Sequence, residues 1–292
     1  MKVALVVIGR LENKYVIEFV EYYKQLGIDT IFIVDNNNDD EEWFEEILTK
    51  EYILQNSINI IHYRGYKNIA NFQIDTYIKI YDKFKDRFDW FMFLDFDEFL
   101  TLTEDKNIKD YLSRDCFKNY NQILINWKIY TDNDLVYYDG RPCLERFTTP
   151  MDIYKNIEYS SLSENMHVKC IIRGNIENIN MENPHYTYNE ILNKTTCNNK
   201  GEKIKDENVS TCQPIDYTLA YIKHFTTKTI DEWINNKLKR GVADRDYNVF
   251  LYTYPIERFF KYNNVTIEKI QYLKEKGIDI DLDKINNWHI DN

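Results

Sequence analysis

The sequence predicts an α/β domain, a mostly parallel sheet flanked by helices, with a helical extension at the C-terminus. Short aliphatic runs alternate with segments of helical periodicity through the first 100 residues. The connections between them are short, as repeated βα units require. Beyond residue 100 the periodicity weakens, and two helical segments follow near the end of the chain.

Val3–Ile8 is continuously apolar, the pattern of a strand buried on both faces. Glu12 to Leu26 sets Val16, Phe19, Val20, Tyr23 and Leu26 on one helical face, and Gly27 follows where a left-handed cap residue belongs. Thr30–Val34 is a second buried strand, ending on Asp35-Asn36-Asn37-Asn38-Asp39-Asp40. A short helix fits Glu41–Thr49, a third strand Ile58–His62, and a long helix Asn68–Phe84 through Ile69, Phe72, Tyr77, Ile80 and Phe84. Trp90–Leu94 is the fourth strand and runs directly into Asp95-Phe96-Asp97-Glu98. Parallel strands joined this way imply right-handed crossovers. Further on, Gln122–Trp127 and Val168–Arg173 read as strands, and Asn189–Pro214 as an unpatterned, mobile loop. Thr229–Arg240 and Thr266–Lys276 read as helices, the latter closed by Gly277.

Composition narrows the function. A formal charge of −11 over 292 residues argues against nucleic acid, whose binding depends on neutralising phosphates. Five cysteines, odd in number and without a CxxC pair, suggest neither a disulfide framework nor a zinc site, and favour a reducing compartment. The N-terminal apolar run is too short for a signal-peptide core, and no stretch approaches the roughly 20 apolar residues of a membrane helix. The expected location is cytoplasmic, with at most peripheral contact at a membrane surface.

Ligands of open α/β sheets sit beyond the carboxyl ends of the strands. Acidic and amide groups occupy two such ends, Asp35-Asn36 and Asp95-Phe96-Asp97. Carboxylates one residue apart on an extended chain point to opposite sides, so one can hold a divalent cation while the other reaches a ribose or a water. Hard Mn²⁺ or Mg²⁺ suits such oxygen ligands, completed by substrate phosphates. The bland alternative is a solvated acidic turn. A phosphatase site is disfavoured, because the motif lies on the fourth strand and is followed by Phe99 rather than Thr or Val. A nucleotidyltransferase is disfavoured because Ile8-Gly9-Arg10-Leu11 is too poor in glycine to cradle phosphates.

Four blocks together carry a resemblance: IGRLENKYVIEFVEYYKQLGIDTIFIVDNN, the helix containing Gln73, WFMFLDFDEFL, and HFTTKTIDEWINNKLKRG. They resemble glycosyltransferases of GT-A fold, of the family-92 (DUF23-like) and related family-2 type, whose patterns carry Asn where this chain has Leu11. The resemblance implies a GT-A-like, Rossmann-type sheet and metal-dependent transfer of a hexose, galactose by family, from a nucleotide diphosphate sugar. A UDP-hexose donor, a glycan or lipid-linked saccharide acceptor, Mn²⁺ or Mg²⁺ as cofactor, and inversion are expected. The alternative is a catalytically inactive nucleotide-sugar or glycan-binding protein on the same fold.

Carried over by position, residues 1–227 form the transferase domain, nucleotide-binding over about 1–100 and acceptor-side over about 101–227. Residues 228–292 form a helical extension packed on it. Asp35 and Asn36 would contact the nucleobase or ribose, Asp95 the ribose and metal, and Asp97 would be the main metal ligand. His224 would complete the metal site, with His185 a second candidate. Lys228, Lys237 and Arg240 would offset the diphosphate charge, a solvated helix face being the other reading of Lys237 and Arg240, and Arg10 would belong to the donor-binding set. Glu145 or Asp152 would be the catalytic base, with Glu98 orienting the metal motif. The segment 189–214 is expected to be either a lid that closes over the donor through Lys194, Lys200, Lys203 and Lys205, or a surface excursion with no role.

Overall fold

The computed structural model describes residues 1–65, 71–151, 164–204, 210–240 and 256–281. Four strands come from the N-terminal third: β1 (Val3–Gly9), β2 (Thr30–Asp35), β3 (Ile58–His62) and β4 (Trp90–Asp95). All pair in parallel, β1 lying between β2 and β4 and β2 against β3. Helix α1 (Val16–Leu26) covers one face, ending on Gly27 at φ 98°, a conformation that glycine adopts without penalty. After α2 (Lys50–Gln55), α3 (Phe72–Phe84) covers the other face. Alternate strand residues feed two cores: Val3, Leu5 and Val7 pack towards Phe19 and Tyr23, while Ala4, Val6 and Phe93 pack towards Tyr77 and Tyr81.

The rest of the chain extends this sheet. β5 (Glu98–Leu102) pairs antiparallel with β9 (Ala220–His224). β6 (Gln122–Ile129) joins β7 (Val168–Arg173) antiparallel and β9 in parallel, and β7 closes antiparallel on β4. Among the described residues nine strands form the order β3-β2-β1-β4-β7-β6-β9-β5, with β8 (Thr196–Asn198) beside β6. The sheet is mostly parallel, as expected. Two short helices, α4 (Ile108–Leu112) and α5 (Cys143–Arg146), lie in the connections.

Three expectations are corrected. Glu41–Thr49 is not a helix but a single 3₁₀ turn over Phe44–Glu46, because Glu41 and Glu42 are drawn off to Arg10 and to the backbone of Asn13. The helix starts later, where the Thr49 hydroxyl accepts from the Tyr52 amide. The long helix begins at Phe72, and residues 68–70 of the expected span lie outside the described residues. The segment Asn189–Pro214 is not unpatterned throughout: Thr196–Asn198 is a strand of the sheet, and Leu192, Cys197 and Cys212 are buried.

The C-terminal part is helical: α6 over 230–240, α7 (Ile256–Tyr262) and α8 (Ile267–Glu275). Trp233, Phe259, Phe260 and Leu273 form its core. Among the described residues no helix is long and apolar enough to cross a membrane. Lys269, fully buried on α8, ties this part to the sheet, its Nζ 2.5 Å from Asp132 Oδ2 and 3.2 Å from Asp134 Oδ1. Removing one partner of a buried pair strands the other charge, at a cost of about 3 kcal/mol. Lys269→Met should therefore lower unfolding stability by about that amount in urea titration; a loss under about 1 kcal/mol would mean that the pair is not a tether.

Candidate functional site

Beyond the carboxyl ends of β1, β2 and β4 lies a cleft of about 550 Å³. Gly9, Arg10, Glu12 and Asn36 line one side; Trp127, Glu164, Glu182 and His185 come from the half of the chain that follows; Asp95, Asp97 and His224 stand between, with Lys237 and Arg240 from α6. The register explains the convergence. β4 ends on Asp95, the Phe96-Asp97 turn reverses the chain, and Glu98 opens β5 directly opposite His224 on β9.

Asp97 Oδ1 lies 3.7 Å from His224 Nε2, too far for a hydrogen bond, and Asp97 Oδ2 lies 3.3 Å from Lys237 Nζ. Burial resists the charge on Asp97, but Lys237, His224 and Lys228 outweigh it and hold the carboxyl well below its usual range. Burial pushes His224 down to about 4, so its imidazole is neutral at pH 7 and keeps a lone pair. Its ring packs on Trp127 at 4.2 Å, and its Nδ1 is buried without a hydrogen-bond partner among the described residues. One carboxylate and one neutral imidazole, 3.7 Å apart, suit a hard or borderline cation with bonds of about 2.1 Å.

Asp95 faces the cleft differently. Its Oδ2 lies 2.8 Å from Lys169 Nζ, and its Oδ1 accepts from Gln73 Nε2 at 3.0 Å. Burial works against its charge, yet Lys169 lowers its pKa overall. Lys169 also approaches Glu98 Oε2 at 3.3 Å, and that oxygen accepts from the Asp95 amide at 2.9 Å. Burial, joined by the charges of Asp95 and Asp97, pushes Glu98 up to about 8 against the pull of Lys169. Glu98 therefore lies beneath the motif largely protonated at pH 7.

The structure brings Asn36, Asp95, Asp97, His185, His224, Arg10, Lys237 and Arg240 to one cleft. It does not bring Asp35 there. Asp35 is fully buried, its Oδ1 accepting from Asn37 Nδ2 at 2.7 Å and its Oδ2 facing Arg64 at 2.6 Å and His62 at 3.1 Å. Arg64 is itself fixed over Trp43, 3.6 Å from the ring centroid. Asn36, the neighbour of Asp35, does line the cleft, and Asn36 Oδ1 is buried without a hydrogen-bond partner among the described residues. Asp35, Glu45 and His62 do form a group of potential metal donors within 4.8 Å of one another. Arg64 already opposes its buried carboxylate, and the imidazole turns a different nitrogen to each acid.

Lys228 lies behind the cleft with its Nζ over the Tyr15 ring at 4.2 Å. Glu145 is exposed on α5 and does not line the cleft, because its neighbours Cys143 and Arg146 take the buried face, Arg146 pairing with Glu232 at 2.7 Å. Asp152 and Lys205 lie outside the described residues. Lys200 is paired with Asp216 at 2.8 Å and Glu202 at 3.3 Å, and neither it nor Lys194 or Lys203 lines the cleft. Sequence reasoning missed Lys169, Glu164, Glu182 and Arg258. Of these Lys169 left a signal, since a lone lysine in the buried run VKCIIR requires a carboxylate partner.

The sequence model of Glycosyltransferase family 92 matches residues 9–244. Among curated proteins none matches. Among solved structures the chain is similar to S. aureus TarS, with a TM-score of 0.33 and 14% identity over 59% of this chain and 28% of that one. The chain thus spans little more than a quarter of that protein's length.

Two outcomes are expected. Leu11 sits at φ 57°, where a side chain such as Leu costs about 1 kcal/mol or more and Asn costs less. Leu11→Asn should raise the urea midpoint; an unchanged or lower midpoint would mean the loop carries no strain. The second concerns pH. Burial, with Lys169 and His167 adding to it, pushes His185 down to about 3, while burial lowers His167 as well. The unfolded imidazoles take up protons below about pH 6.5, whereas folded His185 does so only near pH 3 and folded His167 later than when unfolded, so stability must fall as pH drops from about 6.5 towards 4. His185→Gln should flatten this dependence by about one proton, or about 1.4 kcal/mol per pH unit. An identical slope in the variant would contradict it.

Proposed function

The chain belongs to glycosyltransferase family 92, and we propose that it moves a hexose from a UDP-linked donor, galactose first among candidates, to a glycan or lipid-linked saccharide, with inversion. The observation that carries this reading is the Asp97–His224 pair at the end of β4, open to a cleft lined also by Arg10, Lys237 and Arg240. In this reading Asp97 and His224 hold Mn²⁺ or Mg²⁺. When bound, that cation supplies Lewis-acid stabilisation of the leaving diphosphate.

The chain's own groups do the rest. Asn36, beside the end of β2, meets the nucleoside through its unpaired Oδ1. Asp95 is held by Lys169 and Gln73 with about a third of its side chain exposed, placed to accept from a ribose hydroxyl. Arg10 is braced by Glu41 and by the Arg240 carbonyl at 2.8 Å, and with Lys237 offers charge to the phosphates. The location in this reading is the cytoplasm, with the acceptor presented at a membrane surface.

The test is calorimetric titration of UDP with and without Mn²⁺, beside release of UDP from UDP-galactose. UDP binding should need the metal and vanish in EDTA. Asp97→Asn should lose the metal-dependent part of the affinity, by about 10-fold or more, while still unfolding in a single cooperative urea transition. Equal UDP affinity in chelator would remove the metal from the reading.

A further inference from the structure

Among the described residues five carboxylates line the cleft, and four of them are engaged. Glu12 pairs with Arg240, Asp95 with Lys169, and Asp97 with Lys237. Glu164 lies 2.7 Å from Lys261 and 3.6 Å from Arg258 and accepts from the Tyr262 hydroxyl; against burial, those cations hold its carboxyl below the usual range. Glu182 has neither a cation nor a hydrogen-bond donor against it among the described residues, and it is exposed to the cleft.

Resting on the transfer reading above, we propose that Glu182 is the catalytic base that deprotonates the acceptor hydroxyl. Its place in the fold fits that task. β7 runs antiparallel to β4, so the start of β7 lies beside the end of β4, and Lys169 meets Asp95 there. Glu182 belongs to the chain that returns to this point after β7. Asn180 and Tyr188 exchange backbone hydrogen bonds of 3.0 and 2.9 Å, Met181 is buried, and Asn183 Oδ1 accepts from the His185 amide at 2.9 Å. His185 in turn donates from Nδ1 to the Val168 carbonyl at 2.9 Å, so Glu182 stands on a turn anchored at both ends.

The sheet order puts β1 and β7 on opposite sides of β4. Arg10 and Asn36, on the diphosphate and nucleoside side, follow β1 and β2, whereas Glu182 follows β7. A base for inversion must stand across the sugar from the leaving group, the position this assignment gives to Glu182. The nearby alternative, His185, is too weak a base, since burial pushes it down to about 3.

In the step itself the acceptor oxygen forms a bond to C1 of the sugar while its proton passes to the Glu182 carboxylate. The bond from C1 to the diphosphate oxygen breaks, and its electron pair leaves with the diphosphate. Charge and atoms balance without any further reactant.

The experiment uses the full chain with UDP-galactose and Mn²⁺, water serving as acceptor, and reads UDP release from pH 5 to 9 beside UDP–Mn²⁺ calorimetry. Glu182→Gln should lower UDP release by about 100-fold or more and leave UDP affinity within about twofold; Glu182→Asp should recover part of the rate. Release by Glu182→Gln within about threefold of the parent, or a loss that tracks lost UDP affinity, would overturn the assignment. So would a parent chain that binds UDP and releases none from UDP-galactose. A parent chain that binds no UDP overturns the donor reading itself, a separate outcome.

Discussion

Three carboxylates within four residues, Asp95, Asp97 and Glu98, sit at the rim of the sheet where burial penalises each charge. They cannot all ionise there without cations. The fold answers with Lys169 between Asp95 and Glu98, Lys237 against Asp97, and a largely protonated Glu98. Much of the architecture follows. β7, antiparallel to β4, brings Lys169 to Asp95, and α6 brings Lys237 to Asp97. The capping box of Thr229 and Glu232, with Glu232 also clamped by Arg146 and Tyr15, fixes where α6 starts. Its five-residue π-helical stretch, Trp233–Lys237, then carries the chain to Lys237.

Legibility in the sequence follows burial. β1, β2 and β4 are covered on both faces and so read as continuous apolar runs, and β3 ends where expected. β5 escaped because its first residue, Glu98, belongs to the acidic motif, and burying a glutamate at a strand start depends on Lys169, 71 positions later in the chain. β9 was readable: Ala220 and Ile222 point inward and Tyr221 and Lys223 less so, a period of two. β8, three residues long, has no period to show.

The site was legible where chemistry is local and not where it depends on side-chain direction. Asp95, Asp97 and His224 are brought together by one turn and one strand pair. Asp35 and Asn36 are neighbours on the same strand end, and alternation sends one to Arg64 and the other to the cleft. Nothing in the order of residues says which. Glu145 illustrates the same limit on a helix, where the apolar and ion-paired faces claim Cys143 and Arg146 and leave Glu145 outside.

Charge in the cleft gives the metal reading its physical logic. Among the described residues five carboxylates line it against four cationic side chains, Arg10, Lys237, Arg240 and Arg258. Burial keeps His185 and His224 neutral at pH 7, so neither imidazole adds to the positive side. A cleft of slight negative charge, in a chain of −11, is a poor receiver for a diphosphate. A divalent ion at Asp97 and His224 would reverse the sign locally. It would also take over from Lys237 the task of neutralising Asp97, leaving that ammonium for the phosphates. Acidity of the whole chain and affinity for an anionic donor are thus compatible through a few groups within one Debye length of about 8 Å, where the distant surface charge is screened and the near cations are not.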